Sequence, residues 1–183
     1  MKTIQAGIVT AVIAILLIGG IGYGFATSSS VEVTDNGISG KAYSIDITRD
    51  GDPVSGLVVP EPDHIGPNIT EGQTKTIEGY ALSISWNNEP DTVRAWLFLD
   101  AGAWLYVDSV SITINSQEYE FKNGGNSGKA TDAITGLGSD TYAFTLSFQY
   151  KSGNVPYTTY PNGDSIWNAG GSLTFAAGSD DPL

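Results

Sequence analysis

The chain contains no cysteine, which removes disulfides, thiolate chemistry and cysteine-ligated zinc and leaves packing and hydrogen bonding to stabilise the fold. Histidine is nearly absent too. His64 alone would have to serve any Ser-His-Asp triad or histidine metal site, and Pro62-Asp63-His64-Ile65-Gly66-Pro67 reads as a loop that leaves its ring solvated. Cations are scarce, with 8 Lys and Arg against 20 Asp and Glu and a net charge of −12. Such a surface repels phosphate backbones, so nucleic acid is excluded as a partner, and its self-repulsion keeps the molecule soluble.

Charge is missing altogether from residues 6–26, where Ile8, Val9, Val12, Ile13, Ile15, Leu16, Leu17, Ile18 and Ile21 form an apolar run behind Lys2. This is the pattern of an export segment whose positive end stays inside. Gly24 and Ala26 supply the small-x-small pattern of a cleavage site, while the run approaches the roughly 20 apolar residues of a spanning helix. A cleaved signal and a retained anchor both remain open. Both put the rest of the chain outside, extracellular or on the cell surface, touching the membrane only through this segment. A type IV pilin-like leader fits less well, because Gln5-Ala6-Gly7 lacks the expected basic residue directly before the cleavage point and no Glu follows closely after it.

The chain therefore divides into residues 1–26 as signal or anchor helix, 27–40 as linker, and 41–183 as one domain. What is abundant in the chain as a whole is aromatic: 4 Trp, 9 Tyr and 6 Phe, alongside 23 Gly, a composition that favours strands. Tyr43, Ile45 and Ile47 alternate with polar residues, as do Tyr80, Leu82, Ile84 and Trp86, and then Tyr142, Phe144, Leu146, Phe148 and Tyr150, the longest clean alternation. Each predicts a strand with one buried face. Val110, Ile112 and Ile114 followed by Asn115-Ser116, Tyr119 and Phe121 predict a hairpin. Residues 93–99 and 103–107 are apolar at nearly every position, which predicts strands, or a short helix, buried on both faces at the centre of the core. Residues 53–72 and 153–171 are rich in Pro, Gly and Asn and read as long loops, the first allowing Leu57-Val58-Val59 a short edge strand. A frayed tail ends the chain at residues 178–183. The expected fold is all-β, a single β-sandwich of jelly-roll or immunoglobulin-like type behind the N-terminal helix.

Chemistry-bearing constellations are sparse. Asp50-Gly51-Asp52 lacks the later acids of a calcium loop and reads as a turn stabilised by Asp side chains. No catalytic, cofactor-binding or metal-binding residue is assigned, and no cofactor. Asn68-Ile69-Thr70 is a glycosylation sequon on a loop, making Asn68 a candidate acceptor. Trp86, Trp96 and Trp104 lie in apolar runs and read as core, whereas Trp167 lies in a polar loop and is a candidate for stacking on a ligand.

Several features together resemble the TasA/camelysin family of extracellular fibre proteins and the similar archaeal bundling pilins. They are the apolar leader with Gly19-Gly20 near its end, the small-residue cleavage region and polar stretch after it, and the early strand over residues 40–48. The late strand over 142–150, Asn162-Gly163-Asp164-Ser165-Ile166 and the closing Leu173-Thr174-Phe175 complete the set. The resemblance implies a jelly-roll subunit whose N-terminal strand, carrying Val31, Val33 and Ile38, pairs with the sheet of the next identical subunit. The alternation of Val31 and Val33 with Glu32 and Thr34 is compatible with that role.

The leading expectation is a non-enzymatic structural protein that self-associates into an extracellular filament or biofilm matrix by strand exchange. The alternatives are a monomeric surface module that recognises a glycan or surface partner through Trp167, Tyr157 and Tyr160, and a small secreted glycoside hydrolase with two carboxylates facing each other across a cleft.

Overall fold

The computed structural model describes residues 29–31, 43–54, 56–86, 92–123, 128–159, 161 and 163–177. The leader, Val33, Ile38, Tyr160, the side chain of Trp86 and residues 178–183 lie outside the described part. The strands are β1 (Ser29–Val31), β2 (Tyr43–Arg49), β3 (Asp52–Pro53), β4 (Leu57–Val58), β5 (His64–Ile65), β6 (Asn68–Ile69), β7 (Thr74–Trp86) and β8 (Val93–Leu99). They continue as β9 (Val107–Ile114), β10 (Gln117–Glu120), β11 (Lys122–Asn123), β12 (Lys129–Ala130), β13 (Thr141–Tyr150), β14 (Gly153–Asn154) and β15 (Gly170–Ala177). A four-residue helix, α1 (Ala103–Tyr106), precedes β9, and a 3-10 turn (Ile166–Asn168) precedes β15.

The protein is all-β. Its larger sheet has seven strands in the order β1-β2-β7-β13-β9-β10, with β3 also pairing β2, and its smaller sheet runs β11-β12-β8-β15-β4. A third, of three short strands, runs β14-β6-β5. Every pairing between these strands is antiparallel. The period-2 patterns explain which side of each strand is dry. Ile45, Ile47, Leu82, Ile84, Phe144, Leu146, Phe148, Val110, Ile112 and Ile114 from the larger sheet join Val93, Ala95, Leu97, Leu99, Leu173 and Phe175 from the smaller in one hydrophobic cluster. Phe144 meets Phe175 edge-on at 5.5 Å between centroids, linking the two sheets directly. Each such side chain, fully buried, contributes about 1.5–3 kcal/mol.

The hairpin expected at Asn115-Ser116 is present: Gln117 pairs Ile114, and both turn residues have positive φ, 51° and 61°, as a two-residue turn of the strand-matched hand requires. The longest strand is β7, of 13 residues, against 10 for β13. Its first half hides from the alternation because Gly79 takes φ +86° and the register against β13 slips there, Tyr80 facing Phe144 but Ile77 facing Leu146. Residues 103–107 divide into α1 and the first residue of β9. Two expectations need correction. Residues 93–99 form one strand, but only the face of Val93, Ala95, Leu97 and Leu99 is dry throughout; the other carries half-buried Arg94, buried Trp96 and Phe98, which is 46% exposed. The stretch 53–72 is an organised segment carrying β4, β5 and β6, because Gly66, at φ +58°, turns β5 back onto β6.

Candidate functional site

The sequence-derived candidates lie in different parts of the fold. Val31 ends β1, the outer strand of the larger sheet, which pairs β2 through Ser29 to Ile45, Ser30 to Ser44 and Val31 to Tyr43. Asn68 is exposed at the start of β6, accessible to a modifying enzyme. Tyr157 is exposed on the segment after β14.

Trp167 is buried at 7% exposure, which corrects its reading as a surface stacking platform. The 3-10 turn, capped by the Ser165 hydroxyl accepting from the Trp167 amide, rotates the indole inward. One face of the ring takes His64 in a near-parallel stack, centroids 4.2 Å apart and planes at 22°. Tyr106 packs against the indole at 5.1 Å and stacks in turn on Tyr150 at 6.3 Å. Four rings from β5, the turn, α1 and β13 thus close one end of the molecule.

His64 is likewise not the solvated loop ring expected, since its side chain is only 19% exposed. Its Nδ1 lies 2.8 Å from the Gly66 carbonyl and its Nε2 2.8 Å from a Glu61 carboxylate oxygen. Both partners only accept, so each bond is made by a ring nitrogen that donates, with the roles set by the tautomer. These two partners and the stack on Trp167 pin the ring as a clamp. The clamp is reinforced around it. Lys75 Nζ donates to the Glu61 carbonyl and to Asp63, at 2.6 and 2.9 Å, Gln73 bonds both the amide and the carbonyl of Asp63, and the Tyr150 hydroxyl donates to the Pro60 carbonyl at 2.6 Å. Burial, then the nearby Asp63 carboxylate, holds the Tyr150 phenol well above its ordinary range.

The outward face of the larger sheet is hydroxylic. Thr76 bonds Ser147 at 3.1 Å, Ser83 bonds Thr141 at 3.0 Å, and the Ser111 hydroxyl donates to Glu118 at 2.6 Å. A shallow depression of about 460 Å³ lies there among Ser109, Ser111, Glu118, Glu120, Ser147 and Gln149. Among the described residues no cluster of three or more His, Asp or Glu is arranged to hold a metal, and Asp50-Gly51 is the two-residue turn between β2 and β3.

Arg94 and Trp96 were hidden in the run of residues 93–99. Trp96 is buried, yet it is not part of the cluster between the sheets, because alternation sends it to the opposite face of β8 along with Arg94 and Phe98. The signal lay in the spacing Arg94-x-Trp96-x-Phe98, set against the uniformly aliphatic 93, 95, 97 and 99. Trp104 is half-buried on α1, with Lys129 Nζ 3.8 Å from its ring centroid, a cation on an aromatic face.

No family model matches the chain, and neither the curated proteins nor the solved structures searched contain a match to it.

Proposed function

We propose that this is an exported structural protein, a β-sandwich subunit of jelly-roll type that assembles into an extracellular filament or matrix by exchanging its N-terminal strand, in the manner of the TasA/camelysin-like proteins it resembles. Residues 1–26 direct export, and the acidic domain works outside the cell without catalysis or cofactor.

One observation carries the reading. β1 is a three-residue strand at the outer edge of the larger sheet, paired with β2 and separated from it in sequence by residues 32–42. Antiparallel neighbours can be joined by as few as two residues, so the longer connection leaves room for β1 to leave its own sheet and pair with the β2 of the next subunit. The ladder it vacates is the ladder an incoming copy fills, and main-chain bonds supply the affinity. The shared core between the sheets supports the sandwich.

The test compares purified chains starting at Thr27 and at Gly40 by electron microscopy and light scattering. Filaments from the longer form alone support strand exchange. Monomers from both, across salt and pH, end the polymer reading, and binding to immobilised glycans, with Tyr157 as the first exposed aromatic to replace, then becomes the question.

A further inference from the structure

Alternation leaves the outward side of the larger sheet to short polar side chains. Ser109, Ser111 and Thr113 alternate on β9 with buried Val110, Ile112 and Ile114, and Thr145, Ser147 and Gln149 alternate on β13 with buried Phe144, Leu146, Phe148 and Tyr150. The register sets them in rows across the strands. Thr76, Ser147, Ser111 and Glu120 make one row, Thr74, Gln149 and Ser109 the next, and Thr145, Thr113 and Glu118 a third. Three serines in the middle of this grid clear a floor, and the longer Glu118, Glu120 and Gln149 stand around it, which produces the depression of about 460 Å³. That volume falls within the range of small-ligand sites, about 300–1,000 Å³.

The lining names the class of ligand. No Lys or Arg takes part in it, and two carboxylates do, on a molecule of net charge −12, so an acidic ligand is repelled. No apolar side chain takes part either, which leaves an apolar ligand nothing to pack on. Among the described residues no three acids gather to hold a metal. What remains is hydroxyl, amide and carboxylate, the set that pairs with the hydroxyls of a neutral sugar, since carboxylates accept, the amide nitrogen donates and serine does either. Two internal bonds fix the set in advance. The Ser111 hydroxyl donates to Glu118 at 2.6 Å, and the Ser109 hydroxyl donates to Gln149 Oε1 at 3.1 Å, which leaves Gln149 Nε2 to donate elsewhere. Glu120 feels the charges of Lys122 and Lys129, yet among the described residues it is in no hydrogen bond or ion pair, Lys122 being engaged by Asp132. Neighbouring strands lie about 4.8 Å apart, close to the advance of one ring along a saccharide chain, so a chain crossing the strands offers a ring to each.

We infer that the depression binds a neutral polysaccharide laid across β13, β9 and β10, with Glu118 and Glu120 accepting from its hydroxyls, Gln149 Nε2 donating to them and the serine floor doing both. The site stands apart from β1, which lies beyond β2 and β7 in the same sheet. It therefore ties the protein to a glycan surface whether or not the subunit polymerises.

The experiment is isothermal titration of the chain starting at Thr27, in EDTA, with cellohexaose, maltohexaose and laminarihexaose, a readout open to monomer and filament alike. Saturable binding of at least one is expected. Ser111→Leu, which fills the floor from an outward position, and Gln149→Ala, which removes the free donor, are each expected to weaken that binding about tenfold, and Tyr157→Ala to leave it unchanged. Absence of binding to all three sugars overturns the inference. So does affinity that survives both Ser111→Leu and Gln149→Ala, or that is lost in Tyr157→Ala, because the sugar would then sit elsewhere. Binding that appears only when calcium replaces EDTA overturns it as well, since a cation would then make the contact.

Discussion

Single residues at the closed end and at the β2–β3 turn carry stability that can be measured one at a time. Replacing Trp167 with Ala removes the ring that both His64 and Tyr106 lean on and is expected to cost about 3–5 kcal/mol in urea unfolding. His64→Phe keeps a ring on the indole but gives up two hydrogen bonds, and a loss of roughly 1–2 kcal/mol is expected. An unchanged midpoint would mean the clamp is ornamental. Gly79 is held at φ +86°, and a Cβ there would lie 2.3 Å from an Asp50 carboxylate oxygen. Gly79→Ala should therefore destabilise by about 1–3 kcal/mol, and adding Asp50→Gly should recover part of it, the clash but not the strained φ. Tyr150 gives a pH dependence of definite sign. Its phenol is raised in the folded state, chiefly by burial, so its contribution is complete below the unfolded value of about 10 and is lost as pH climbs above it. Stability followed by denaturant titration should fall in alkali, and Tyr150→Phe should flatten that fall while giving up the bond to Pro60.

At the scale of elements, the hairpin of β9 and β10 turns through Asn115-Ser116, both at positive φ. Glycine suits the second position better than serine, so Ser116→Gly is expected to stabilise by about 0.5–1 kcal/mol, read as a higher urea midpoint. That hairpin, β2 and β13 were legible because a strand with one dry face writes its own period into the sequence. The first half of β7 was not, since the slip at Gly79 breaks the period where the strand continues. The short pairings of β5, β6 and β14 were hidden among prolines and glycines, because strands of two residues are too brief to show any alternation. The closed end was the least legible of all. His64 and Trp167 are 103 positions apart in number, and only the fold brings one ring over the other, so each looked like a lone residue in a polar loop.

For the whole molecule, charge governs how copies meet. With a net charge of −12, subunits repel one another at low ionic strength. Raising salt from about 10 to 150 mM shortens the screening length from roughly 30 to 8 Å. If subunits assemble, the lag before light scattering rises should shorten steeply over that range, and an unchanged lag would mean that charge does not limit the encounter. The all-β class was readable from composition and alternation together, whereas a self-pairing edge has no residue signature, because main-chain bonds are the same for every sequence. The solitary imidazole has a last consequence, which concerns observation. Since His64 is the only histidine and sits between Trp167 and Glu61, its two ring carbon-bound protons give isolated signals, shifted by the current of the indole. Untagged protein thus carries its own single-site reporter, able to say whether the end of the molecule is closed without any label being added.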